Sequence, residues 1–233
     1  VETKSKILLI QHTDSSTPGV VSPWLEKNGR EFDLIHMQKH ALPRDVHYEN
    51  IIICGGGMHV DQEEKYPWLK DEKKFLEASM KNGSRIVGLC LGGQLCAQIL
   101  GAEVYPHPQG WETGWHTVHL QKTENLAGFE EDRSLMFSQY HRYIFEAPKD
   151  AKIIAHNDWW QTQGYVWNNQ VVGFQFHPER DLEINRLMAE DRELPNEGRT
   201  HTKEQITQLG DLHQPISQLW FENMLSGFFK LRI

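Results

Sequence analysis

Cysteine is scarce in this chain. Of 233 residues only three are cysteines, at positions 54, 90 and 96, and three do not make a disulfide framework. A reducing, cytoplasmic setting is the expectation. No apolar run approaches the ~20 residues needed to cross a bilayer. The opening stretch Val1 to Lys6 leads into Ile7-Leu8-Leu9-Ile10, too short and too early for a signal-peptide core. Basic residues are outnumbered, 24 Lys and Arg against 32 Asp and Glu, a net charge of −8 with His neutral. That balance argues against a broad nucleic-acid or anionic-membrane surface, and neither partner is expected. No internal repeat, low-complexity tract or linker interrupts the chain, so one domain over residues 1–233 is the economical reading. With 39% hydrophobic and 24% charged residues, the composition is that of a globular protein.

What is present is a run of short apolar strands separated by helices. Lys6–Ile10 reads as a strand. A break at Pro18-Gly19 follows, then a short helix over Val21–Asn28. Phe32–His36 and Ile51–Cys54 are further strands, the latter running into Gly55-Gly56-Gly57. Leu69–Met80 has helical spacing, with Asn82-Gly83 as its stop. Arg85-Ile86-Val87 is a strand and Gln94–Leu100 a helix. Continuous apolar strands alternating with helices predict a mainly parallel sheet covered on both faces. The expectation is therefore an α/β fold, a three-layer α/β/α arrangement with a small strand-rich edge. That edge is the stretch from Gly101 to Val172, where Thr117–Leu120 and Lys152–Ala155 are strand candidates. Val171–Phe176 reads as a buried strand and Leu182–Glu190 as a helix. The polar segment Arg192–Thr202 reads as a surface loop, and Ile216–Leu231 as a closing amphipathic helix.

Two motifs carry chemistry. Gly88-Leu89-Cys90-Leu91-Gly92-Gly93-Gln94 lies between a strand and a helix, a small-residue turn that carries a thiol. This is the cysteine form of a nucleophile elbow. Placement at a helix N-terminus is expected to favour the thiolate. The second motif, Gly173-Phe174-Gln175-Phe176-His177-Pro178-Glu179, puts an imidazole at a strand end and a carboxylate two residues on. Nucleophile, base and orienting acid are all present in Cys90, His177 and Glu179.

These blocks, with Ile53-Cys54-Gly55-Gly56-Gly57-Met58 and Tyr66-Pro67-Trp68-Leu69, resemble the class I glutamine amidotransferase family. The likeness is strongest to stand-alone members similar to the amidotransferase domain of GMP synthetase, and it spans roughly Lys6 to Glu179. The resemblance implies a flavodoxin-like fold. It implies hydrolysis of the glutamine side-chain amide to glutamate and ammonia through a Cys90 thioester, with His177 moving the proton and Glu179 orienting it. It implies an oxyanion hole from the backbone of Leu91 and Gly56. It also implies substrate contacts from Gln94 and from His141. No cofactor is implied, and ammonia would pass to a separate synthetase subunit. Two departures stand out. His141-Arg142-Tyr143 replaces the common His-Gly-Asp, and the glycine loop lacks the common proline. The first departure, with no synthetase domain expected on this chain, keeps open a hydrolase for another γ-glutamyl compound; a non-catalytic binding module of the same fold is a third reading, against which the intact Cys90, His177 and Glu179 argue.

Blander roles fit the rest. Cys54 and Cys96 read as small buried hydrophobes. The 13 histidines show no zinc spacing, and no metal site is expected. His116 and His119 would point to opposite faces of one strand. Gly55-Gly56-Gly57 lacks the Lys-Ser/Thr of a phosphate loop. The tryptophans at 111, 115, 159, 160 and 167 read as packing or as a wall of a substrate site.

Overall fold

The computed structural model describes residues 2–44, 46–191 and 193–231. Its first half follows the predicted order of elements: β1 (Glu2–Gln11), α1 (Val21–Lys27), β2 (Phe32–His36), β3 (Val46–Ile53), α2 (Trp68–Lys81), β4 (Arg85–Leu89) and α3 (Leu91–Ile99). With β11 (Val171–Phe174), four of these build a parallel half-sheet in the order β2-β1-β3-β4-β11. That order, with the chain reversing direction of travel at β1, is the flavodoxin-like winding. Strand residues alternate between faces, so each strand feeds two cores. Ile7, Leu9, Ile52, Val87 and Val172 pack under α1 and α5 (Lys203–Phe228), whose Trp24, Trp220 and Phe221 cover them. Leu8, Ile10, Ile51, Ile53 and Ile86 pack on the other face under α2 and α3, against Leu69, Leu76, Leu91 and Leu95. This is the three-layer architecture expected from the sequence.

The second half extends the sheet. β6 (Trp111–Leu120), β7 (Arg133–His141), β9 (Lys152–His156), β10 (Gly164–Trp167) and the short β12 (Gly198–Thr200) continue it beyond β11, mostly antiparallel. β5 (Val104–Pro106) pairs with β8 (Tyr143–Phe145) in a small separate ladder. Thr117–Leu120 is thus the end of a ten-residue strand, and β7 has no counterpart in the sequence reading. The polar segment expected as a loop holds β12; Arg192, where it begins, lies outside the described residues. The closing helix starts at Lys203, well before Ile216, and carries Pro215 within it. Its start is fixed by a capping box: Thr202 Oγ1 accepts from Gln205 N at 3.2 Å, and Thr202 N donates to Gln205 Oε1 at 2.9 Å. α4 (Leu182–Asp191) matches the predicted helix closely.

The turn between β4 and α3 is the tightest place in the fold. A Cβ on Gly88 would stand 2.5 Å from the carbonyl carbon of Gly92, and one on Gly93 2.7 Å from the Phe174 carbonyl oxygen. One on Gly92 would collide with the Ile53 carbonyl oxygen. These glycines are required by close backbone approach, Gly92 and Gly93 to neighbouring strands and Gly88 to the first turn of α3, not by left-handed torsions. We expect Gly92→Ala to lower stability by about 2 kcal/mol or more, because the new methyl meets backbone that cannot move aside. Gly57→Ala, with nothing within 4 Å of its added Cβ, is expected to change stability by less than about 0.5 kcal/mol. Urea unfolding of the two variants measures the difference; equal stabilities would contradict this account of the turn.

Candidate active site

The elbow puts its strain on the cysteine itself. Cys90 is the N-cap of α3 with φ 51° and ψ −106°, outside the regions an L-residue prefers. It is held there by its neighbours. Cys90 N donates to Phe174 O at 2.8 Å, and Gln94 N donates to Cys90 O at 2.9 Å. The first of these bonds reaches across from β11, the parallel neighbour of β4. The chain leaving β11 does not stay in the ladder as far as His177. It bends after Phe174, and His177 is instead pinned to β7 by an antiparallel bridge, His177 N donating to Ser138 O at 2.8 Å. The two motifs converge on Gly55: a Cβ there would lie 2.8 Å from His177 Cε1 and 3.5 Å from Cys90 Cβ. Cys90, His177 and Glu179 all line one cavity of about 240 Å³, together with Gly56, Gln94 and His141. All the residues singled out from the sequence therefore meet in one place, with Leu91 beside Gly56: a Cβ on Gly56 would lie 2.7 Å from Leu91 Cδ2.

The imidazole is oriented from both nitrogens. His177 Nδ1 lies 2.7 Å from Glu179 Oε1, and Nε2 lies 3.0 Å from Arg180 Nη2. A guanidinium can only donate, so Nε2 is the acceptor and the neutral ring carries its proton on Nδ1, shared with Glu179. Burial, and the Arg180 charge next to it, push the His177 pKa down to about 4 in spite of Glu179. Burial likewise pushes the Cys90 thiol up to about 12, against the pull of Arg180 and the Leu91 N–H. The expectation of a helix-stabilised thiolate is thus corrected. The cysteine is only 6% exposed, and desolvation of a full negative charge outweighs the partial charge of one helix end. At rest the pair is a neutral thiol and a neutral imidazole.

Three further groups surround this pair and were not singled out in the sequence. Gln175 is fully buried, and its Nε2 lies 3.8 Å from Cys90 Sγ. Its Oε1 accepts from Gln94 Nε2 at 3.3 Å, and the same Gln94 nitrogen donates to Tyr143 O at 3.0 Å. Gln94 is therefore tied into the wall it lines. The glycine loop rests on His12, whose Nδ1 donates to Gly55 O at 2.8 Å and whose Nε2 lies 2.9 Å from Glu72 Oε1. Both ring nitrogens face acceptors. Burial alone would lower the His12 pKa, but the Glu72 charge and these bonds leave it raised. The third group is Glu112, entirely buried. Its oxygens receive His141 Nε2 at 3.0 Å, Gln163 Nε2 and Asn157 Nδ2 at 2.8 Å each, and Arg199. This fixes the ring of His141, whose Nδ1 is buried in the wall of the cavity with no hydrogen-bond partner among the described residues. Next to it, Arg142 pairs with Glu197, and Tyr143 stacks on His59 at 3.8 Å between ring centroids. Of the tryptophans, Trp111 lines the cavity while Trp115 is fully buried in the core. Among the described residues, no group of three or more His, Cys, Asp or Glu could hold a metal ion, and no helix is long and apolar enough to cross a membrane.

Comparison with known proteins follows the same line. The family profile described as glutamine amidotransferase class-I matches residues 16–191. Among curated proteins, one similar relative is a component of the glutamine-hydrolyzing GMP synthase of Ignicoccus hospitalis. It is 25% identical over 138 residues, covering 59% of this chain and 70% of that protein. Gamma-glutamyl peptidase 2 of Arabidopsis thaliana is 25% identical over 162 residues, covering 67% of this chain and 64% of the peptidase. The chain spans about 64% of the length of the first curated relatives it matches. Two solved glutamine amidotransferases share the fold at 24% identity. The one from Thermotoga maritima has a TM-score of 0.83 over 97% of this chain and 98% of its own, and the one from Methylobacillus flagellatus 0.87 over 97% and 94%.

Two outcomes are expected from these electrostatics. Alkylation by iodoacetamide modifies Cys90 first, because Cys54 and Cys96 are fully buried and their thiols are also raised. Its rate climbs about tenfold per pH unit from 7 to 9 without a plateau, as a thiol titrating near 12 requires; a plateau near neutrality would contradict it. For Glu112, burial alone would raise the pKa, but His141 and Arg199 hold it down to about 2. Its contribution to stability is present above about pH 4.5 and is lost as the pH falls towards 2. Glu112→Gln is expected to cost about 3 kcal/mol at pH 7, a gap that narrows in acid; an unchanged gap at pH 3 would contradict it.

Proposed function

The chain belongs to the class-I glutamine amidotransferase family, and on that premise we propose that it cleaves a γ-glutamyl carbon–nitrogen bond through a Cys90 thioester. The simplest substrate is glutamine, with glutamate and ammonia as products and a separate synthetase chain, in the same cytoplasm, as the acceptor of ammonia. The observation that carries the reading is the convergence on Gly55 of a strained cysteine and an imidazole already oriented by a carboxylate. In this mechanism His177 Nε2 takes the thiol proton as Sγ attacks the amide carbon. Nδ1–H stays on the ring, held by Glu179, so the tautomer is correct throughout. The same proton then passes from Nε2 to the leaving nitrogen as the C–N bond breaks. Negative charge on the tetrahedral oxygen falls to the N–H groups of Leu91 and Gly56, the loop of the latter steadied by His12 on the Gly55 carbonyl. Water then opens the thioester by the reverse proton path. Gln94 and His141, on the cavity wall, are the substrate-positioning residues, and the unpartnered His141 Nδ1 is a polar contact ready for the glutamyl group.

A second reading, a hydrolase for γ-glutamyl amines or peptides, uses the same chemistry and differs in what leaves. It is favoured by Arg180, a cation at the nitrogen of His177 that must meet the leaving group, and the Arabidopsis relative bears the name of such a peptidase. The test is glutamate release from glutamine and from a panel of γ-glutamyl amines and dipeptides. Cys90→Ala is expected to reduce release about 10⁴-fold or more, as loss of a nucleophile does. Release that survives Cys90→Ala, or none from any compound with the wild-type chain, would overturn the proposal.

A further inference from the structure

The contact between Arg180 and His177 has a consequence for which compounds the site accepts. Nε2 carries the only lone pair of the ring able to take the Cys90 proton, because Nδ1 already carries a hydrogen directed at Glu179. At rest that lone pair receives an N–H from Arg180 Nη2 at 3.0 Å. An arginine does not yield its proton in a protein, so this bond must be broken before the imidazole can act as a base. The guanidinium makes two other contacts while that bond is in place. Its Nη1 lies 3.5 Å from Ser138 Oγ, and its Cζ stands 5.9 Å from the centre of the Tyr140 ring. Arg180, Tyr140 and Trp111 all border the cavity that holds Cys90.

The position of Arg180 relative to the scissile bond follows from the proton path. Nε2 must stand within hydrogen-bond reach of the leaving nitrogen, since it returns the proton there. Arg180 is therefore on the leaving-group side of the site. In a γ-glutamyl amino acid, a carboxylate sits two bonds beyond that nitrogen. In glutamine the leaving group is ammonia and carries none. The α-carboxylate of the glutamyl group lies at the far end of its side chain and is common to every substrate.

We propose that Arg180 is a specificity-determining residue: it caps His177 in the empty site and is drawn off by a carboxylate on the leaving group, so that the preferred substrates are γ-glutamyl amino acids. The inference rests on the γ-glutamyl cleavage proposed above. The step remains balanced: Sγ bonds to the γ-carbonyl carbon, the C–N bond breaks, and the departing amino acid takes from Nε2 the proton first removed from the thiol. Arg180 stays charged and exchanges one acceptor, the imidazole, for another, a carboxylate, which is the stronger of the two. The neutral resting pair fits this arrangement, since a guanidinium against Nε2 opposes the imidazolium until a carboxylate offsets it.

The test compares kcat/KM for γ-glutamyl-glycine, γ-glutamyl-methylamide and glutamine. The first two leaving groups differ chiefly in the carboxylate. The wild-type chain is expected to favour the glycine compound over the methylamide by about tenfold or more, the scale of one charge-assisted hydrogen bond. Arg180→Gln is expected to bring that ratio close to one, and Arg180→Lys to retain part of it. A ratio left unchanged by Arg180→Gln overturns the proposal. So does an equal loss on all three compounds, which would assign Arg180 to the shared α-carboxylate or to structure alone. In both of these cases Cys90-dependent glutamate release persists. Absence of release from every compound overturns the underlying reading together with this one, so the two failures are told apart.

Discussion

The close packing of the β4–α3 turn against its two neighbouring strands is the constraint on which the site depends. Gly92 and Gly93 let the elbow backbone lie against Ile53 on one side and Phe174 on the other, and Gly88 lets the turn fold back on Gly92. With no side chain between them, the hydrogen bond from Cys90 N to Phe174 O can form, and it holds the cysteine in torsions it would not adopt alone. The same bond ties Cys90 to the strand that leads into His177. Sequence places small residues at three positions, packing turns them into contact between strands, and that contact brings a thiol and an imidazole to one end of the sheet.

Electrostatics then decides the resting state of the site, and burial wins. A helix end offers a fraction of a charge within one turn, while enclosing a thiolate removes nearly all its water. The thiol and ring of Cys90 and His177 both settle in their uncharged forms. Around them, charge is tightly satisfied where it serves the walls. Glu112 has four donors, and His12 with Glu72 braces the glycine loop. These buried pairs tie the walls of the cavity together, and Arg180 beside them is half-buried.

How far this was legible in the sequence depends on where burial is complete. The parallel half reads well because its strands are buried on both faces and appear as unbroken apolar runs, such as Ile51 to Ile53. The convergence of Cys90, His177 and Glu179 was legible for a related reason, since the strand–turn–helix pattern dictates where the thiol goes. The antiparallel half was legible only in part: Lys152–Ala155 matches β9 and Thr117–Leu120 is the end of β6, but β7 was missed. β6 and β7 bury polar side chains, Glu112, His116, Ser138 and Gln139 among them, in hydrogen-bonded networks that no periodicity announces. The sequence reading starts α5 at Ile216 rather than Lys203, although the Thr202 to Gln205 capping signal lies in plain view. Arg180 follows the His-Pro-Glu block directly, but its return to Nε2 is a matter of chain direction after Pro178, which only three dimensions settle. The thiol pKa is misread for want of one number, the exposure of Cys90.

Bond cleavage at this site is proposed to pass through sulfur 90, covalently joined to a γ-glutamyl group. Acid-quenched mass spectrometry of the intact chain and its peptides, sampled during turnover, tests it most directly. The expected result is a glutamyl adduct that appears before steady state, maps to the peptide containing Cys90 and is absent without substrate. Glutamate release with no adduct on that peptide, or with the adduct on Cys54 or Cys96, would contradict it.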